Sequence, residues 1–387
     1  MRLAANKVEK GMQPIADRLL NNQPEEKENR IGGLRIFGAT EEMADQLVSF
    51  HNSYFGDNRK SEHWIWEYRG CHPDLSFFTV VVDEGRLVGT MGSIPIYLRV
   101  AGEKILSNKL ENALLVPEYR GKETATDARI FHECKAREKG SQCLWAYTPV
   151  SKSAIREGYT VFNGVICGVV AAMNLSVIAS DTLKSTKHPF KKKILRLASQ
   201  FLLWIYGSIL RATVLLPKSN YDIVSEPLRE TDLDDFYRRL RIAYPNMIHI
   251  DLNARYLKWR IHDNPILQYR SYYVYDGKDL KAYAFVHAGD VRAFLTDFNF
   301  EHIDAGRFLL SRIVNDLKDQ KAGFIVFAGN LENPSLKRVF RLLRRWGFVH
   351  FNKTNLIVKN LQFRNGRALT NAENWCMTGI GTEGYTL

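Results

Sequence analysis

Cysteine is scarce in this chain of 387 residues: Cys71, Cys134, Cys143, Cys167 and Cys376 are odd in number, widely spaced, and form no Cys-x-x-Cys pair. A disulfide framework and a zinc ribbon are therefore not expected, and a reducing compartment fits best. The sequence also lacks a Gly-x-x-x-x-Gly-Lys-Ser/Thr loop, a Gly-x-Ser-x-Gly elbow and a His-Glu-x-x-His pair. Nucleotide hydrolysis and serine-esterase chemistry lose their usual sequence support. His51, His63 and His72 have no metal-ligand spacing, so they are assigned structural or surface roles and no metal is expected. The N-terminus has no apolar core of signal-peptide length, Glu9 interrupting it early, so secretion by that route is not expected.

Apolar residues are plentiful. At 45% hydrophobic and 12% aromatic the chain can bury sizeable cores, and its length favours two domains. Lys and Arg number 54 against 42 Asp and Glu, a balance of +12 that suggests an anionic partner. The excess is unevenly placed. From Thr182 to Tyr221 there is no acid, while Lys184, Lys187, Lys191, Lys192, Lys193, Arg196, Arg211 and Lys218 all carry positive charge. Within this segment Leu197 to Leu210 is uncharged and holds Trp204 and Tyr206, yet it is shorter than the ~20 apolar residues a spanning helix needs. Two readings stand: an interfacial anchor over residues 187–216 on an anionic membrane surface, or an interdomain helix with solvated lysines.

A layout recurs on either side of that segment. Trp66 with Pro73, then a strand, a turn at Asp83-Glu84-Gly85 and a second strand, corresponds to Trp259 with Pro265 and the turn at Asp276-Gly277-Lys278. Each copy continues with a strand, a polar loop and a helix. Each closes on a strand and a short helix ending at Gly158-Tyr159 or Gly347-Phe348, where glycine suits the left-handed position past a helix C-terminus. The expected organisation is a lead-in over 1–33, a first domain over 34–180, a basic apolar connector over 181–221, a second domain over 222–362 and a tail over 363–387. The fold class is mixed α/β.

Within the first copy, Val116-Pro117-Glu118-Tyr119-Arg120-Gly121-Lys122-Glu123-Thr124-Ala125 resembles the acyl-CoA-binding motif of the GNAT N-acetyltransferases, Val-x-Pro-x-x-Arg-Gly-x-Gly-x-Gly/Ala. The resemblance covers nearly all of 34–170, with a weaker copy over about 222–360. It implies two GNAT-like domains, each a mixed, mostly antiparallel sheet flanked by helices, with acetyl-CoA as donor. By the same resemblance Leu114, Leu115 and Val116 form the pantetheine-facing strand, and Arg120, Gly121, Lys122, Glu123, Thr124 and Ala125 form the pyrophosphate loop. Backbone N–H groups at a helix start, with nearby positive side chains, make physical sense of that role. Glu123 stands where the family has glycine. The second copy has Asn299 to Gly306 at the corresponding place, with two acids and no Arg, so it is expected to shape a cleft or stabilise the first domain without binding acetyl-CoA.

Acetyl transfer to an amine requires a base for the amine and benefits from an acid for the thiolate. Glu111, on the strand leading to Val116, is the candidate base, with pairing to Lys109 as its structural alternative. Ala154 occupies the position at which the family commonly carries its tyrosine acid, which leaves Tyr147 at the end of the preceding strand as substitute or simply as a packed aromatic. Lys337, Arg341, Arg344 and Arg345 fall near one helix face, either solvated or facing an anionic acceptor. The leading expectation is a cytoplasmic N-acyltransferase, peripheral on the membrane's inner face if the anchor reading holds. It would move acetyl from acetyl-CoA to a small amine, such as an amino sugar of a surface-polysaccharide precursor, in phosphorylated or lipid-linked form if the basic helix binds it. A Fem-like aminoacyl transferase using charged tRNA and a non-catalytic GNAT-derived binding module are the competing readings; no RNA-binding signature favours nucleic acid.

Overall fold

The computed structural model describes residues 29–31, 34–56, 58–120, 123–149, 151–174, 177, 221–289, 291–320 and 322–381. The basic connector falls almost wholly outside the described residues. The chain divides into two units. The first takes the residues up to Tyr97, Ile105–Ala146 and Lys359–Arg364; the second takes Leu98–Lys104, Tyr147–Val358 and the residues from Asn365 on.

In the first unit the order is β1 (Asn29–Ile31), β2 (Leu34–Gly38), α1 (Ala44–Phe55), α2 (Ser61–Arg69), β3 (Phe77–Asp83), β4 (Arg86–Val100), β5 (Glu103–Leu115), α3 (Glu123–Glu138) and β6 (Cys143–Thr148), the last strand passing into the second unit at Tyr147. The strands neighbour one another in chain order. β2, β3 and β4 are antiparallel, as the two-residue turn at Glu84 and Gly85 requires. β5 and β6 are parallel, which needs a crossover, and α3 supplies it. The apolar run Phe77 to Val82 is buried on both faces between helices. On one face Trp64 and Tyr68 of α2 meet Phe78 edge-on at 5.3 and 4.7 Å; on the other, His132 of α3 lies against Phe77. Gly92 is where Tyr68 crosses β4: a Cβ there would come within 2.6 Å of the phenol ring.

The second unit adds α4 (Lys152–Arg156), β7 (Thr160–Ala172), β8 (Asp222–Val224), α5 (Asp232–Ala243), β9 (Ile248–Ile250), α6 (Ala254–Leu257), β10 (Tyr269–Asp276), β11 (Asp279–Ala288), β12 (Arg292–Phe300), α7 (Ile303–Asp319), β13 (Phe324–Asn330), α8 (Pro334–Arg345), β14 (Val349–Asn360) and α9 (Gly366–Leu369). Its sheet runs β14, β7, β13, β12, β11, β10, β8. Apart from β9, which lies between α5 and α6, the order of strands and helices from β8 to β14 parallels that from β2 to β7. β12 and β13 are again parallel, joined by α7, whose Leu309, Leu310, Ile313, Val314 and Leu317 are buried at helical spacing. α8 buries Leu336, Val339, Phe340 and Leu343 and leaves Arg341, Arg344 and Arg345 exposed. β9 pairs with the Leu98–Val100 end of β4, where Arg99 and Lys104 both meet the buried Asp251.

Among the described residues no helix is long and apolar enough to cross a membrane, and no group of three or more His, Cys, Asp or Glu is placed to hold a metal ion. All five cysteines are free thiols.

Candidate functional site

Pairing between β5 and β6 is confined to Ser107 with Cys143, Asn108 with Leu144 and Lys109 with Trp145. Beyond Lys109, β5 continues to Leu115 without β6 beside it, so its backbone edge from Leu110 onward is open on that side. The opposite side stays tied to β4: the Val116 N–H donates to the Val88 carbonyl at 2.9 Å, and Thr90 Oγ1 donates to the Asn112 carbonyl at 3.0 Å. A strand held on one edge and released on the other makes a slot lined by N–H and C=O groups, which an extended, amide-bearing ligand can pair with.

The slot ends at a tight turn. Pro117 opens a single 3-10 turn to Tyr119, whose hydroxyl donates to Asp83, and the Arg120 backbone returns to an extended conformation. Arg120 is exposed and its Nε donates back to the Leu115 carbonyl at 2.7 Å, placing a guanidinium at the mouth of the slot. Glu123 begins α3 and is exposed, Thr124 is buried and Ala125 half-buried. Gly121 and Lys122 lie outside the described residues. Leu114 and Val116 are buried and Leu115 half-buried. Of the residues expected to contact the donor, the described ones lie at the end of β5, in the turn after it and at the start of α3, all in the first unit.

Glu111 is half-buried and its carboxylate meets the ammonium of Lys109, which is only 3% exposed and stands at the last β5–β6 pair. A lysine this deep needs a partner, and the Glu111 carboxylate supplies one. Tyr147 belongs to the second unit. Its hydroxyl donates to the Thr378 carbonyl at 3.3 Å, and burial, with Tyr256, Asp297 and Cys376 around it, raises its pKa well above the ordinary phenol value. Ala154 is buried in α4, its carbonyl accepting from the Tyr159 N–H.

One cluster has no counterpart in the sequence reasoning. Asn112 sits next to Glu111 in the left-handed region, φ 51°, an uncommon conformation for a non-glycine residue and one that kinks β5 within the open stretch. Its side chain is oriented by two long-range partners: Nδ2 donates to the Tyr68 hydroxyl, so Oδ1 is the acceptor facing His51 Nε2 at 3.1 Å. That acceptor calls for a proton on His51 Nε2. Asn112, His51 and Tyr68 therefore form a polar cluster at the residue that follows Glu111 on β5.

Residues 35–161 match the model of the acetyltransferase (GNAT) domain. The chain carries a GNAT domain. Solved structures with a similar fold include a conserved protein of unknown function from Enterococcus faecalis V583, described as a probable N-acyltransferase (7% identity, 86% of this chain and 74% of that one, TM-score 0.58). A GCN5-related N-acetyltransferase from Anabaena variabilis ATCC 29413 is similar too (13% identity, 85% and 73%, TM-score 0.55), as is a Saccharomyces cerevisiae N-myristoyltransferase with bound myristoyl-CoA (9% identity, 87% and 84%, TM-score 0.54). At these identities the likeness is one of fold. No curated protein matches the sequence. The open edge of β5 and Arg120 both lie within the matched stretch.

Proposed function

We propose that the protein is an acyl-CoA-dependent N-acyltransferase that takes its donor in the β5–β6 slot, with acetyl-CoA as donor and a small amine as acceptor. The observation that carries this reading is the end of β5–β6 pairing at Lys109 and Trp145, which leaves the Leu110–Leu115 edge open up to Arg120. Pantetheine carries two secondary amides and suits such an edge; the diphosphate then falls at the turn before α3, where Arg120 and the helix start favour negative charge. Glu123 is exposed, so its carboxylate has room to stay in solvent.

In the transfer, the amine nitrogen forms the new bond to the acyl carbon, the C–S bond breaks, and the proton lost by nitrogen ends on the CoA sulfur. Glu111 is the candidate acceptor of that proton, directly or through one water. Lys109 is its ion-pair partner. Tyr147 is engaged with the Thr378 carbonyl, and we assign it no part in the step. An amino sugar, in phosphorylated or lipid-linked form, fits the basic excess of the chain, and an anionic membrane surface met through residues 187–216 would bring a lipid-linked acceptor close; both rest on charge alone. The recurring element order from β8 to β14 supports a duplicated architecture with a second GNAT-like domain.

Calorimetric titration with acetyl-CoA tests the reading. Saturable binding is expected, weakened at least tenfold by Arg120→Ala. No heat of binding at millimolar acetyl-CoA would leave a non-catalytic binding module as the better account.

A further inference from the structure

The second unit contains the same kind of opening, and there it is filled. β12 pairs with β13 from Arg292 with Phe324 to Leu295 with Phe327 and then stops, while β13 continues through Ala328, Gly329 and Asn330. Its far edge remains paired with β7 to the end. The near edge, released by β12, is taken by the C-terminal segment: Gly329 forms an antiparallel bridge with Thr378, and the Asn330 N–H donates to the Met377 carbonyl at 2.9 Å. On its other side the same segment bridges β9, with Trp375 opposite Ile248 and the Cys376 N–H donating to the Ile248 carbonyl at 2.7 Å.

Side chains secure this inserted strand. Thr378 Oγ1 donates to Asp297 on β12 at 3.0 Å, so the segment bridges both strands of the opening. Asn330 Nδ2 donates to the carbonyls of Ala372 and Trp375, and Tyr256 and Arg260 both donate to the Ile380 carbonyl. Trp375, Met377 and Ile380 are core residues of the unit. Gly329 permits the approach, since a Cβ there would stand 3.2 Å from the Met377 carbonyl oxygen.

We propose that the segment Trp375–Gly381 is the permanent occupant of the second unit's opening, lying where an acyl-CoA arm would otherwise pair, so that the chain binds one acyl-CoA and binds it only in the first unit. The argument rests on the reading of the β5–β6 slot as the donor site. It follows from occupancy: β12 and β13 part beyond Leu295 and Phe327, and the gap between them is taken by a peptide whose backbone bonds Gly329 and Asn330 on β13 and whose Thr378 hydroxyl bonds Asp297 on β12. A competing ligand would have to displace a buried tryptophan and a network of backbone and side-chain hydrogen bonds.

Hydrogen exchange of the full chain with and without acetyl-CoA, combined with titration stoichiometry, tests this. Expected are slow exchange of the Asn330 and Cys376 amides in the free protein, no change at 324–330 or 375–381 on adding acetyl-CoA, new protection within 110–125, and one equivalent bound. Arg120→Ala should remove that equivalent without exposing another. Fast exchange at Asn330 and Cys376, a second equivalent, or ligand-induced changes at 375–381 would overturn the proposal. Slow exchange there with no binding at all would sink the donor-site reading while supporting the occupied opening.

Discussion

His132 makes the first unit acid-sensitive in a way that can be measured. The side chain, on α3, is fully buried, its Nδ1 lies 2.8 Å from Thr79 Oγ1, its ring packs on Phe77 at 4.5 Å, and its Nε2 meets no hydrogen-bond partner among the described residues. Burial holds its pKa down at about 3, against about 6.5 in an unfolded chain. Between these values the unfolded state binds a proton that the folded state refuses. Stability is therefore intact above pH 6.5 and falls as pH drops, by about 1.4 kcal/mol per unit, or about 2 kcal/mol by pH 5. His132→Asn keeps a polar group near Thr79 and removes the titration. At pH 7 the variant should be less stable by about 1–2 kcal/mol for lost packing; by pH 5 the difference should vanish or reverse. Urea denaturation of both proteins at pH 7, 6 and 5 gives the difference directly, in whichever transition the substitution moves. A gap that stays constant within about 0.5 kcal/mol across that range would refute the reasoning. The second unit makes a poorer test. There His249, also held down at about 3 by burial, is opposed between about pH 6 and 4 by buried Asp297, whose pKa is raised to about 6 and which gains a proton on folding in that window.

Other substitutions probe the slot. Gly92→Ala puts a methyl into the Tyr68 ring and should destabilise the first unit by about 1–3 kcal/mol, read as a lower urea midpoint; wild-type stability would mean that Tyr68 moves freely. Asn112→Gly keeps the left-handed backbone but frees His51 and Tyr68, whereas Asn112→Ala adds backbone strain of about 1 kcal/mol, so Ala should be the less stable of the two. Glu123→Gly removes a carboxylate beside the expected diphosphate and should tighten acetyl-CoA binding severalfold in calorimetry. Unchanged affinity would show that Glu123 already points away.

How far the site could be read in advance depended on what carries each part. The turn from Val116 to Arg120 was visible because its residues are contiguous and chemically specific: a proline that starts a 3-10 turn and an arginine that closes it. Asn112 was invisible. Nothing in the Leu110 to Leu115 run marks which residue takes a positive φ, and its partners His51 and Tyr68 are 61 and 44 positions away, brought in only by packing of α1 and α2 on the sheet. For Tyr147 the strand end was legible, but the Thr378 carbonyl that occupies its hydroxyl, 231 residues on, was not. The spacing of Lys109 and Glu111 suggests their pairing, yet the burial of Lys109 at the last β5–β6 pair is a property of the sheet.

The C-terminal segment shows why such losses are systematic. Residues 363–387 have no helical or alternating period and read as a tail, but Trp375 to Gly381 enters the sheet through backbone groups, and those are the same whatever the side chains. Sequence records a strand through alternation because one face is usually wet. A short segment buried on all sides between β9 and β13 has no wet face and leaves no such record. Two openings in parallel strand pairs can therefore look equivalent from their own sequences and differ in fate. Past Lys109 β5 has no β6 partner beside it, while past Leu295 and Phe327 the gap between β12 and β13 takes a peptide from the C-terminal segment. The deciding contacts belong to the peptide: Cys376 N–H on Ile248, the Met377 carbonyl on Asn330, and Thr378 on Asp297.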